Sequence, residues 1–138
     1  MAPRLAAAVG LVLAAALALP ATAATPKAGS FSGSTKQDKP ISFAVTPGGG
    51  KVKNVKFGFK GSCDNGARTS GTTSFAGKFR VNDGEFKAVG ANNSFVKGTF
   101  TTRKKASGKL KWRGTTFDPV TYRTVSCSSP KVRWTAKR

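Results

Sequence analysis

From residue 29 onward the apolar residues come in short runs that occupy every second position: Ile41, Phe43 and Val45; Val55, Phe57 and Phe59; Phe79 and Val81; Leu110 and Trp112; Val132, Trp134 and Ala136. Successive side chains of a strand point to opposite faces, so each run predicts a β-strand with one dry side and one wet side. Val52 is out of step with Val55, which predicts a bulge at Lys53 and Asn54. Turn-forming residues separate the runs at Pro47-Gly48-Gly49-Gly50, Asp64-Asn65-Gly66, Asp83-Gly84, Ala91-Asn92-Asn93, Lys105-Ala106-Ser107-Gly108 and Ser128-Ser129-Pro130. Spacing of about ten residues between turns is the punctuation of an antiparallel sandwich or barrel. Asp83-Gly84, between Phe79-Arg80-Val81 and Glu85-Phe86, is a hairpin signal because Gly tolerates the positive φ of such turns. The expectation is one all-β domain of about eight antiparallel strands, barrel-like or folded as two packed sheets, with its Phe-rich faces inside.

The first residues follow a different pattern. Arg4 precedes an apolar run from Leu5 to Leu19, Pro20 closes it, and the small residues Ala21, Thr22 and Ala23 follow. This is the layout of a cleavable secretory signal helix, and a run of about 15 apolar residues is short of the roughly 20 that span a bilayer. No Cys stands at the cleavage site to accept lipid. The organisation expected is a signal peptide over 1–23, a flexible lead-in over 24–28 and a single β-sandwich domain over 29–138, secreted without lipidation, with no membrane span left after cleavage, and acting as a monomer.

Composition agrees with strands. Leu110 is the only leucine beyond the leader, whereas all ten Phe and both Trp lie in the exported part. Cys63 and Cys127 are the only cysteines, and an oxidising compartment should pair them. By closing a long loop, that bond stabilises by about 4 kcal/mol on chain-entropy grounds.

Several segments together resemble a group of small secreted bacterial proteins of unknown function. They are Gly29-Ser30-Phe31-Ser32-Gly33-Ser34-Thr35-Lys36-Gln37, Ile41-Ser42-Phe43-Ala44-Val45, Cys63, Val96-Lys97-Gly98-Thr99-Phe100, Cys127 and Val132-Arg133-Trp134-Thr135-Ala136. The resemblance implies an exported β-sandwich-like domain and no particular activity.

Catalytic chemistry is poorly supplied. The chain has no His, which removes Ser-His-Asp and Cys-His catalysis and most transition-metal sites. Of its five acids, Asp64 and Asp83 sit in Gly turns and Asp118 precedes Pro119, settings in which Asp serves the backbone. Neither Asp64 with Asn65 nor Asn82, Asp83 and Glu85 offers the oxygens that calcium needs. Gly50-Lys51-Val52-Lys53 and Lys56-Phe57-Gly58-Phe59 have some likeness to the RNA-binding strand of cold-shock domains, but alternation assigns Phe57 and Phe59 to the core. A non-enzymatic protein with no cofactor, metal or small-molecule substrate is expected.

Charge remains as the unusual feature. Lys and Arg number 24 against five acids, a net +19 that becomes +18 once Arg4 is removed. If Leu110, Trp112, Val132 and Trp134 face inward, then Lys109, Lys111, Arg113, Lys131, Arg133 and Lys137 face water, as do Lys56 and Lys60 beside Val55 and Phe59. These eight form the expected polyanion-binding set, with anionic cell-surface polymers or anionic lipid headgroups as partners. The alternative is a structural or protein-interaction domain, marked by an exposed apolar patch or a protruding loop instead of a continuous basic surface.

Overall fold

The structure, a computed structural model, describes residues 23–138; the signal peptide expected over 1–23 lies, except for Ala23, outside the described residues. Ten strands follow in order: β1 (Gly29–Thr35), β2 (Pro40–Val45), β3 (Lys51–Cys63), β4 (Arg68–Arg80), β5 (Glu85–Val89), β6 (Phe95–Thr102), β7 (Lys105–Lys111), β8 (Arg113–Asp118), β9 (Arg123–Ser128) and β10 (Val132–Lys137). All pairings are antiparallel.

The strands form one continuous sheet in place of two separate packed sheets. Its order runs β4-β3-β2-β1-β10-β7-β6-β5, and the β8–β9 hairpin, inserted between β7 and β10, pairs with the last residues of β3. The sheet curls into a half-barrel around a single core that includes Phe31, Phe43, Phe57, Phe86, Phe100, Leu110 and Trp134. The two ends of the curl, β4 and β5, are joined by the expected Asp83-Gly84 turn. Both residues have positive φ (50° and 72°), and Asn82 and Glu85 exchange backbone hydrogen bonds of 2.9 Å. Beyond that bridge the seam closes with a side chain, because the buried Phe75 ring of β4 lies against Gly90, just past β5.

One inward row explains how so small a curl holds so many rings. Phe86, Gly98, Gly108 and Trp134 stand directly opposite one another on β5, β6, β7 and β10. Gly98 leaves space that the flanking rings fill, since a Cβ there would come within 2.6 Å of Phe86 and 2.7 Å of Trp134, whereas Gly108 admits the β6 backbone, since a Cβ there would meet the Lys97 carbonyl. Phe43 stacks on Phe31 at 5.2 Å and meets Trp134 edge-on at 5.8 Å, joining this row to β1 and β2. Trp134 Nε1 is buried with no acceptor, so the indole is held there by its shape.

The predicted bulge is present, with the β3–β4 register shifting between Lys53 and Val55 and Asn54 at φ 53°. One expected turn is displaced: Lys105-Ala106-Ser107-Gly108 lies inside β7, and the chain reverses at Arg103 and Lys104. Ala106 and Gly108 serve the inward face, so here glycine marks the close approach of a neighbouring backbone and not a turn. The lead-in, expected to be flexible, is bonded to the domain: Ala24 N–H donates to the Phe100 carbonyl (2.9 Å), Lys27 N–H donates to that of Arg103 (2.8 Å), and Pro26 is buried. The Cys63–Cys127 disulfide is formed, and it joins directly opposed residues where β9 meets β3.

Overfilling the glycine row should therefore be costly. Gly98→Val is expected to lower stability by about 1–3 kcal/mol. Gly50→Ala, where nothing lies within 4 Å of the added carbon and φ is −84°, should be neutral or slightly stabilising. Urea unfolding of both variants checks the contrast, and equal losses would contradict it.

Candidate functional site

The register that builds the inward row also aligns what points outward. Lys87, Lys97, Lys109 and Arg133 are directly opposed on β5, β6, β7 and β10. Lys36, in the turn after β1, extends the line by donating its N–H to the Arg133 carbonyl (2.9 Å). All five cations are exposed. Two residues along the strands runs a row of polar side chains, the carboxylate of Glu85 followed by the hydroxyls of Thr99, Ser107, Thr135 and Ser34. Two residues further on, a second line begins with Lys105 and Lys137 and passes through Ser32 and Ser42 to Lys56.

The result is a shallow trough with a hydroxyl floor and cationic walls. Two adjoining depressions, of about 570 and 540 Å³, share Ser34, Ser107 and Thr135 as floor; Lys36, Lys109 and Arg133 line one, and Lys105 and Lys137 line the other. Asp38 lies at the Lys36 end and Glu85 at the far end of the floor row. A further depression lies between Lys97, Thr99 and Lys109.

Distances decide how these charges act on one another. Neighbouring strands are about 4.8 Å apart, inside the Debye length of about 8 Å at physiological salt, so cations within a row repel through incomplete screening. The two rows are four residues apart along each strand, about 13 Å, and are largely screened from each other. Like charges directly opposite in a sheet are destabilising, and the first row places Lys97 between two other lysines. Lys87 is partly diverted, lying 5.8 Å over the Phe95 ring. A second basic cluster, Lys51 opposite Arg80 and Lys53 opposite Lys78, sits on β3 and β4 but is only two strands wide.

The eight residues expected from sequence divide between two places. Lys109, Arg133 and Lys137 wall the trough, and Lys56 ends its second line. Lys111, opposite Phe95, lies beyond the first row at the end of β7, while Arg113 opens β8 and Lys131 precedes β10. Lys60 is near that same end, its N–H donating to Gln37 Oε1 (3.0 Å). Sequence reasoning missed Lys36, Lys87, Lys97 and Lys105 and the hydroxyl floor. The same alternation, applied to Val96 and Phe100, places Lys97 and Thr99 outward.

A different surface surrounds the β8–β9 hairpin. Phe117, Val120 and Tyr122 at its tip are 57%, 86% and 80% exposed, and the Phe117 and Tyr122 rings meet edge-on at 6.3 Å. Val120 N–H donates to Asp118 Oδ1 (2.9 Å), and Asn65 Nδ2 donates to Asp118 Oδ2 (3.1 Å). The Asn65 bond first, and the Val120 N–H next, hold the Asp118 carboxyl below its ordinary pKa. Among the described residues no group of three or more His, Cys, Asp or Glu could hold a metal, and no helix is long and apolar enough to cross a membrane. Phe57 and Phe59 are buried, the latter stacked on Trp112 at 4.0 Å, so neither offers a face to a base. Comparison with family models, curated proteins and solved structures finds no match.

Removing the middle cation should relieve two opposed pairs at once. Lys97→Thr is expected to raise stability in urea by about 0.2–1 kcal/mol at low ionic strength, and the gain should vanish near 1 M salt, where the Debye length is about 3 Å. A variant less stable than the parent at low salt would contradict this account of the row.

Proposed function

We propose that the protein is a non-enzymatic, exported binding module whose trough holds an anionic surface polymer against the curled sheet. The observation that carries this reading is the in-register line of Lys87, Lys97, Lys109, Arg133 and Lys36, which is unfavourable in the free protein and would be compensated by a row of negative charges. The hydroxyl floor adds a preference of chemistry. A chain carrying both anionic groups and hydroxyls, such as a sugar- or polyol-phosphate polymer, could place its charges on the walls and its hydroxyls on Thr99, Ser107, Thr135 and Ser34. The disulfide fits an exported protein.

A second reading, a domain that docks on another macromolecule without a polyanion ligand, draws support from the exposed hairpin tip.

Salt-dependent retention on an immobilised polyanion tests the first reading. The parent should remain bound above physiological salt. Replacing Lys97, Lys109 and Arg133 with Gln should reduce the slope of log affinity against log salt by about 2–3, as expected for three lost contacts at about 0.7–0.9 each. The same charge loss at Lys51, Lys53 and Lys78 should change the slope much less. Equal losses from the two triple variants would mean that net charge, and not the trough, governs retention.

A further inference from the structure

We infer that the β8–β9 hairpin inserts its tip into the interface of an anionic lipid bilayer. The inference shares with the proposed function a partner of negative charge, but it rests on residues outside the trough. Three large apolar or aromatic side chains, Phe117, Val120 and Tyr122, are exposed within six positions of one protruding turn. Single exposed apolar residues are ordinary on a protein surface, whereas a cluster at a projecting tip marks a contact with another macromolecule or a membrane.

The tip is already shaped for insertion. Asp118 fixes the turn through the Val120 N–H and is held from the neighbouring loop by Asn65. At the base, the Cys63–Cys127 disulfide clamps β9 to β3. Ser94 Oγ accepts the Arg113 N–H (2.8 Å) and donates to the Arg113 carbonyl (3.0 Å), and Ser129 Oγ accepts the Trp112 N–H (2.8 Å). Little ordering is left to be done on contact, which favours binding by a small apolar surface.

Charge around the hairpin selects lipid over a neutral apolar partner. Arg123 stands opposite Asp118 in the strand register, and Arg68 follows the loop that carries Asn65. Arg113, Lys60, Lys111 and Lys131 stand around the base, at the end of the curl from which the hairpin emerges. Against these six cations stand Asp64 and Asp118, and the Asp118 carboxylate is already occupied by two hydrogen bonds. From Arg113 to Asp118 the strand rises about 17 Å, enough for the tip to enter the outer 5–10 Å or so of a leaflet while the basic base stays among the headgroups. Tyr122 suits that level, since its ring is apolar and its hydroxyl polar. Four of the cations expected from sequence, Lys60, Lys111, Arg113 and Lys131, lie here and not in the trough.

The test uses the mature protein with sedimented vesicles of equal phosphatidylglycerol and phosphatidylcholine, and with vesicles of phosphatidylcholine alone. Partitioning should be at least tenfold stronger onto the anionic vesicles. Replacing Phe117, Val120 and Tyr122 with Ser should weaken it at least tenfold while leaving polyanion retention and thermal unfolding unchanged. Phe117→Trp should add blue-shifted emission on vesicle binding that the parent lacks. Equal partitioning of the parent and the triple-Ser variant overturns the inference, as does absence of vesicle binding by a parent still retained on the polyanion. The latter leaves the trough reading standing and points to a protein as the partner of the tip. Loss of both vesicle binding and polyanion retention removes both readings.

Discussion

Gly98 lets the rings of Phe86 and Trp134 lie over the inner surface of β6, Gly108 opposite it lets the β6 backbone come close to β7, and the rest of the core is arranged around that contact. A sheet this strongly curled has little room inside: a side chain at position 98 would push the rings apart, and one at position 108 would run into the Lys97 carbonyl. The same row fixes the register of four strands. Because the side-chain period of a strand is two, a register fixed on the inner face is fixed on the outer face as well. The alignment of Lys87, Lys97, Lys109 and Arg133 thus follows from a packing constraint, whereas the choice of cations at those positions does not.

That choice runs against stability. Position 97 has lysines opposite it on both sides, and the line continues to Arg133 and Lys36. Soluble sheets commonly use exposed lysines to keep edges from pairing with other chains, but β6, β7 and β10 are interior strands of this sheet and need no such protection. In the proposed reading the hydroxyl row between two cationic lines faces a ligand, and it gives the net charge a direction that composition alone lacks.

Much of the fold was legible because alternation and burial are local. The inward assignments of Phe43, Phe57, Leu110 and Trp134, the bulge at Asn54, the Asp83-Gly84 turn and the disulfide all rest on signals a few residues long or on a single pair of cysteines. Strand order is non-local, and this is why one curled sheet could not be told from two packed ones. Gly108 was read as part of a turn because a glycine that accommodates the backbone of a neighbouring strand looks, in sequence, like a glycine that bends the chain. For the site, the outward direction of Lys109 and Arg133 was readable, but their alignment with Lys97 and Lys87 required the register. Lys60, Lys111, Arg113 and Lys131 were chosen by the same alternation and proved to belong to the end of the curl bearing the hairpin, a separation that depends on where β8 and β9 are inserted.

The proposed function requires that the aligned cations, repulsive in the free protein, be compensated when a polyanion occupies the trough. Thermal unfolding at low ionic strength, with and without a soluble polyanion, tests it most directly. The account predicts that the polyanion raises the midpoint by more than simple salt of the same ionic strength, and that the excess disappears when Lys97, Lys109 and Arg133 are replaced with Gln. An excess of the same size in that variant, or none in the parent, would contradict it.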